Sequence, residues 1–154
     1  MRYVSDWVIH TSATRSSADI GAKEIREWHM NPPLNWSDIG YHEVIRRNGM
    51  LEPGRELWKE PACVRGVNSH IICTCLVGGL NDETGEAENN YTDEQWITLE
   101  KRFYFYRKKF PWIGVRGHLD YSQDLNGNNI IERHEWFKEC PCFDVADWVR
   151  DLAR

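Results

Sequence analysis

The sequence predicts an α/β fold with a central sheet covered by helices, and three observations point there. Short apolar runs at residues 7–10, 71–77 and 113–117 read as buried strands. Other segments carry apolar residues at spacings of three and four, the signature of helices with one buried face. The two kinds of segment alternate along the chain, as they do when helices pack on a sheet.

Taken in order, Trp7-Val8-Ile9-His10 is a buried strand closed by the polar pair Thr11-Ser12. Residues 18–29 read as a helix, with Ala22, Ile25 and His29 on one face. The stretch 40–46 reads as a strand running into the turn Asn48-Gly49. A second apolar strand spans 71–77 and stops at Gly78-Gly79, and the acidic, glycine-containing segment 81–90 reads as a solvent-facing loop. The clearest helix covers 92–110: Thr92 and Gln95 form a capping box, and Trp96, Leu99, Phe103, Tyr106 and Phe110 make one apolar stripe. A short strand follows at 113–117, and Asp144 opens a last helix carrying Val145, Trp148, Val149 and Leu152.

Composition limits the function. With 154 residues and no repeat or Ser/Pro-rich linker, the chain reads as a single domain, residues 1–154. A chain of this length buries roughly 70% of its unfolded surface and needs no disulfides to hold a core. Hydrophobic residues are 41%, charged residues 28% and Trp numbers 8, which excludes a disordered or low-complexity chain. The net charge of −5 argues against general nucleic-acid binding, because phosphate neutralisation needs a basic face. No apolar run approaches the roughly 20 residues of a membrane span, so membrane insertion is not expected. The start, Met1 to Asp6, lacks the apolar stretch of a signal peptide, so synthesis in the cytoplasm is expected. The 5 cysteines are odd in number, which makes a disulfide framework the poorer reading. Cys73 and Cys75 share one strand face and read as small buried hydrophobes.

The chain lacks a phosphate loop, a nucleophile elbow, a His-Glu-x-x-His helix and a dinucleotide fingerprint. What remains is a dispersed set of metal-capable side chains: His10 at a strand end, His118 just after another, and Cys140 opening the C-terminal segment. Each has an ordinary structural reading by itself. Together, two imidazoles and one thiolate would leave a zinc ion one open position, the catalytic arrangement.

A series of short strings sharpens this. Val8-Ile9-His10-Thr11-Ser12-Ala13-Thr14, Ile25-Arg26-Glu27-Trp28-His29, Ile39-Gly40-Tyr41-His42, Glu52-Pro53-Gly54-Arg55, Gly66-Val67-Asn68, Cys75-Leu76-Val77-Gly78-Gly79, Gly117-His118 and Lys138-Glu139-Cys140-Pro141 stand in this order. In that order they resemble the zinc N-acetylmuramoyl-L-alanine amidases of the phage lysozyme type. The superfamily also includes the animal peptidoglycan recognition proteins. The resemblance implies a mixed central sheet flanked by helices, with a zinc cleft on one side. It implies zinc on His10, His118 and Cys140, with Tyr41 and Lys138 as catalytic residues. Zinc lowers the pKa of water from about 16 toward about 7, and a lysine cation can stabilise a tetrahedral oxyanion.

The implied activity is hydrolysis of the amide between N-acetylmuramic acid and L-alanine by a phage or prophage endolysin. The implied partner is peptidoglycan, met by a monomer after release to the cell wall. Two alternatives stand beside it: a module that binds muropeptides without cutting them, and a lysozyme-type protein that also regulates a phage RNA polymerase. Departures from the family pattern include Leu119 where it commonly has arginine, Ile71 and Cys73 where it has serine and glycine, and Cys63 where a histidine often lies. Cys142 is a competing thiol beside Cys140.

One further segment, in a stretch (120–136) that reads as an insertion, resembles an EF-hand calcium loop. Asp124, Asn126, Asn128 and Glu135 stand at loop positions one, three, five and twelve, and the carbonyl of Ile130 would fill position seven. Position six is Asn129 rather than Gly. The other reading of this segment is a polar surface turn.

Overall fold

The computed structural model describes residues 2–136 and 138–153. Its centre is a five-stranded mixed sheet built from β1 (Asp6–Thr11), β3 (Glu43–Ile45), β4 (Leu51–Pro53), β5 (Ile71–Leu76) and β7 (Gly114–Gly117), in the order β4-β3-β5-β1-β7. Only β3 and β4 pair antiparallel; β1 runs parallel to both β5 and β7, and β3 parallel to β5. Two short strands, β2 (Thr14–Arg15) and β6 (Gly79–Leu80), form a small parallel pair beside it.

The period of two along β1 and β5 sorts the side chains onto two faces. Trp7, Ile9, Ile72 and Leu76 go to one face, where α2 (Asp93–Lys109) supplies Leu99, Phe103 and Tyr106, and α3 (Val145–Leu152) supplies Val145. The N-terminus of α2 is closed as its sequence predicts: Thr92 Oγ1 accepts from Gln95 N at 3.1 Å, and Gln95 Oε1 accepts from Thr92 N at 3.0 Å. A buried carboxylate on this side, Glu43, accepts hydrogen bonds from Thr74, Tyr106 and Arg102, so its charge is paired and solvated by protein.

Val8 and His10 point to the opposite face with Cys73 and Cys75, in the register Val8↔Cys73 and His10↔Cys75. Here α1 (Ala22–Met30) packs Ala22 and Ile25 against Ile39, Val44 and Cys75, while Val64 and Ile71 gather round Val8 and Cys73. The helix covers only part of this face, and His10 is buried near the C-terminal end of β1.

Some boundaries differ from the sequence reading. The first helix begins at Ala22 rather than residue 18, because Glu24 accepts from the Gly21 N–H at 2.9 Å and closes the helix start there. The strand expected over 40–46 shortens to Glu43–Ile45: Gly40, Tyr41 and His42 spend their carbonyls on Ala62, Arg55 and Gly54 in the neighbouring loop. Strand β4 escapes the sequence reading altogether, since three residues ending in proline carry no readable alternation. Cys63 and Cys73 are joined as a disulfide, against the reading of Cys73 as a free apolar side chain. The loop at 61–67 doubles back over β5, a path no periodicity announces. Among the described residues no helix is long and apolar enough to cross a membrane.

Candidate metal centre

Three chain segments meet near the C-terminal end of β1. His10 is placed by the last residues of strand β1, and is 2% exposed. His118 opens a 3₁₀ turn (His118–Tyr121) directly after β7, a turn closed where Asp120 Oδ2 accepts from the Gly117 N–H at 2.7 Å. Cys140 arrives from the C-terminal segment, and its carbonyl accepts from the Leu119 N–H at 2.8 Å. The ligand atoms of His10, His118 and Cys140 lie within 4.8 Å of one another. The imidazoles of His10 and His118 sit edge to face at 4.9 Å, and Cys140 Sγ lies 3.8 Å from His10 Nδ1. The Thr11 N–H donates to that sulfur at 3.2 Å, fixing it from the strand side.

Without a cation, these groups are neutral. Burial pushes His10 well below the ordinary histidine range, and the nearby His118 and Lys138 charges push the same way. Burial followed by Lys138 takes His118 down to about 4. Burial raises the Cys140 thiol to about 12. The second ring nitrogen of His10, Nε2, is buried without a hydrogen-bond partner. A cluster of two neutral imidazoles and one thiol, with an orphaned nitrogen on His10, fits a borderline-soft divalent cation. Two His and one Cys are zinc donors by type, and three protein ligands are the number of an open site.

Tyr41 packs its ring against His10 at 5.2 Å, and burial holds its hydroxyl well above the usual tyrosine range, so it remains a donor at neutral pH. Lys138 is exposed on the wall of a cleft of about 660 Å³, which it lines with His118, Tyr121, Trp36 and Cys63. Cys142 does not share the cluster: its thiol donates to the Gly79 carbonyl at 3.4 Å and belongs to none of the His/Cys groups found among the described residues. Leu119, standing where the family commonly has arginine, is fully buried. The sequence reading missed the cleft walls, Trp36 and Tyr121. Isolated aromatics in loops carry no spacing signal, although both sit close to motifs that it did pick out.

The segment 124–135 folds back on its own acidic ends. Asp124 accepts backbone N–H groups from Gly127 and Asn129, and Glu135 from Leu125, Asn126 and Glu132. Asn126 and Asn128 accept from Asn128 and Ile130, and Asn129 takes the left-handed conformation at φ 65°. These bonds hold both carboxyl groups below their usual range.

No protein-family model matches the chain. It is 35% identical over 146 residues to the endolysin of Enterobacteria phage K11, covering 95% of this chain and 85% of that protein. Among solved structures, the N-acetylmuramoyl-L-alanine amidase LysC from Clostridium intestinale URNW superposes with a TM-score of 0.70 at 20% identity, covering 99% of this chain and 85% of that one. PGRP-SA of Apis mellifera superposes with a TM-score of 0.68 at 19% identity, over 98% of this chain and 84% of that one.

Proposed function

The chain belongs to the phage endolysin family, and from that premise we propose that it hydrolyses the amide joining N-acetylmuramic acid to L-alanine in peptidoglycan, with zinc held by His10, His118 and Cys140. The observation that carries this reading is the convergence of those three ligand atoms within 4.8 Å, with one of them, His118, lining a cleft whose wall carries Lys138. Zinc bound there supplies Lewis-acid activation of water and of the scissile carbonyl.

The remaining work belongs to the chain's own side chains. Lys138 brings a cation to the cleft wall, close enough to depress both histidines, and that charge stabilises the oxyanion that develops on the amide carbonyl. Tyr41 remains protonated beside His10 and offers an O–H to the same developing charge or to the attacking water. The flanking aromatics Trp36 and Tyr121 give the cleft apolar walls against which a glycan or peptide can lie. A module that only binds muropeptides needs no such donor set, and the intact His/His/Cys cluster favours catalysis over that alternative. The test is metal dependence of wall hydrolysis. Chelation should abolish clearing of purified cell walls, zinc should restore it, and full activity in a metal-free preparation would contradict the reading.

We further propose that the 124–135 loop binds calcium through Asp124, Asn126, Asn128, Glu135 and the Ile130 carbonyl. The left-handed conformation of Asn129, at the position where such loops need Gly, supports this. With few charged donors, affinity should be weak, about 10⁻⁴ to 10⁻³ M. Millimolar calcium should raise the melting temperature, and Asp124→Ala should remove the gain. An unchanged melting temperature would leave a polar surface loop.

A further inference from the structure

His10 belongs to a second cluster. Its ligand atom and the sulfurs of Cys63 and Cys73 also lie within 4.8 Å of one another. The two cysteines are bonded to each other, so neither is available as a ligand in that state. They differ in access: Cys63 lines the cleft beside His118 and Lys138, whereas Cys73 is fully buried on β5. The imidazole they approach carries the buried, unpartnered Nε2. Reduced, this corner would present two thiolates and one imidazole, a softer set than one thiolate and two imidazoles and one suited to zinc.

We propose that Cys63, Cys73 and His10 form a second metal site governed by thiol–disulfide exchange, open to zinc or a similar soft divalent cation when the cysteines are reduced and closed when they are joined. The closing step is balanced by a low-molecular-weight disulfide as oxidant. The cleft-facing Cys63 thiolate attacks one sulfur of that disulfide, forming a mixed disulfide and expelling one thiolate. The Cys73 thiolate then attacks Cys63 Sγ and expels the second. Two protein thiols become one disulfide, and one small disulfide becomes two small thiols. Because a single imidazole serves both clusters, a metal drawn to the sulfur pair withdraws His10 from His118 and Cys140. The site itself stands on geometry alone; its consequence for hydrolysis rests on the proposed amidase reading.

Cobalt(II) binding to a Cys140→Ser variant isolates the second site, because the first has lost its sulfur. The reduced variant, freed of reductant under anaerobic conditions, should develop sulfur-to-cobalt charge-transfer absorption. Oxidised glutathione should abolish that band as mass spectrometry after alkylation reports the Cys63–Cys73 bond. A Cys63→Ser/Cys140→Ser double variant should show a weaker band that oxidation no longer switches off. Absence of the band in the reduced variant, or its persistence after oxidation, would overturn the proposal. If Cys140→Ser fails to fold, the wild-type chain serves: its cobalt band should be stronger reduced than oxidised, and equal bands would overturn the idea. Either failure leaves zinc-dependent wall hydrolysis by the oxidised protein unaffected, so the two readings are judged separately.

Discussion

The backbone N–H of Leu119 donates to the carbonyl of Cys140 at 2.8 Å, so the residue after one candidate ligand is bonded directly to another. Gly117 makes this approach possible. A Cβ there would lie 2.8 Å from Pro141 Cδ and 2.9 Å from Val145 Cγ2, inside the distance that real side chains keep. The strand end carrying His118 and the segment carrying Cys140 touch because that position has no side chain.

Gly117→Ala should therefore separate the two segments. We expect a loss of about 1–3 kcal/mol in stability from overpacking, together with weaker zinc retention against a competing chelator. Unchanged stability and unchanged zinc affinity would show that Pro141 and Val145 shift freely.

His10→Ala, His118→Ala and Cys140→Ala should each lose the bound metal, against about one zinc per chain in the unaltered protein. Cys75→Ala should keep it, because Cys75 is buried on the α1 face and belongs to none of the His/Cys groups found among the described residues. Elemental analysis of the purified variants checks this. Zinc retained by all three ligand variants would move the metal elsewhere.

Tyr41→Phe and Lys138→Ala should keep zinc and lose turnover, because the roles proposed for both residues are on developing charge rather than on coordination. Removing one such donor costs about two to three powers of ten in rate. Zinc content and initial rates, measured on the same preparations, separate this from a lost metal. Normal rates in both variants would refute the assigned roles.

Much of this arrangement was legible in the sequence, and the illegible parts share a cause. The stripe from Trp96 to Phe110 and the cap at Thr92 announce α2 because a long helix repeats its signal over many turns. The runs at β1 and β5 are continuous because both faces of those strands are covered. The late start of α1, where the Ala22 N–H donates to Glu52 Oε1 at 2.9 Å, the pairing of the three-residue β4 with β3, and the Cys63–Cys73 bond are set by individual contacts that hydrophobic periodicity does not encode. The meeting of His10, His118 and Cys140 belongs to the same class. Residue spacing does not connect them; their places at element ends make them candidates, and the ordered run of family-like strings joins them into one expected site.

His42 supplies a pH dependence independent of the metal. It is 3% exposed, its Nδ1 accepts from the Cys73 N–H at 3.0 Å, and its Nε2–H faces the Lys59 carbonyl at 2.9 Å, an arrangement that only the neutral ring satisfies. Burial takes it from the ordinary 6.5 down to about 4. Between those values the unfolded chain binds a proton that the folded chain refuses, so stability is full above 6.5 and falls as pH drops toward 4. The loss amounts to roughly 3 kcal/mol. The stability advantage of the unaltered protein over His42→Gln should shrink by about that amount across the window, read by denaturant unfolding at each pH. A constant difference would mean that His42 is not held neutral.

Mass spectrometry of peptidoglycan digested by the zinc-loaded protein bears most directly on what the cleft does. The zinc amidase reading predicts released stem peptides with a free L-alanine amine, and glycan strands left without new reducing ends. New reducing ends with the muramyl–alanine amide intact, or binding to the wall with no released product, would contradict it.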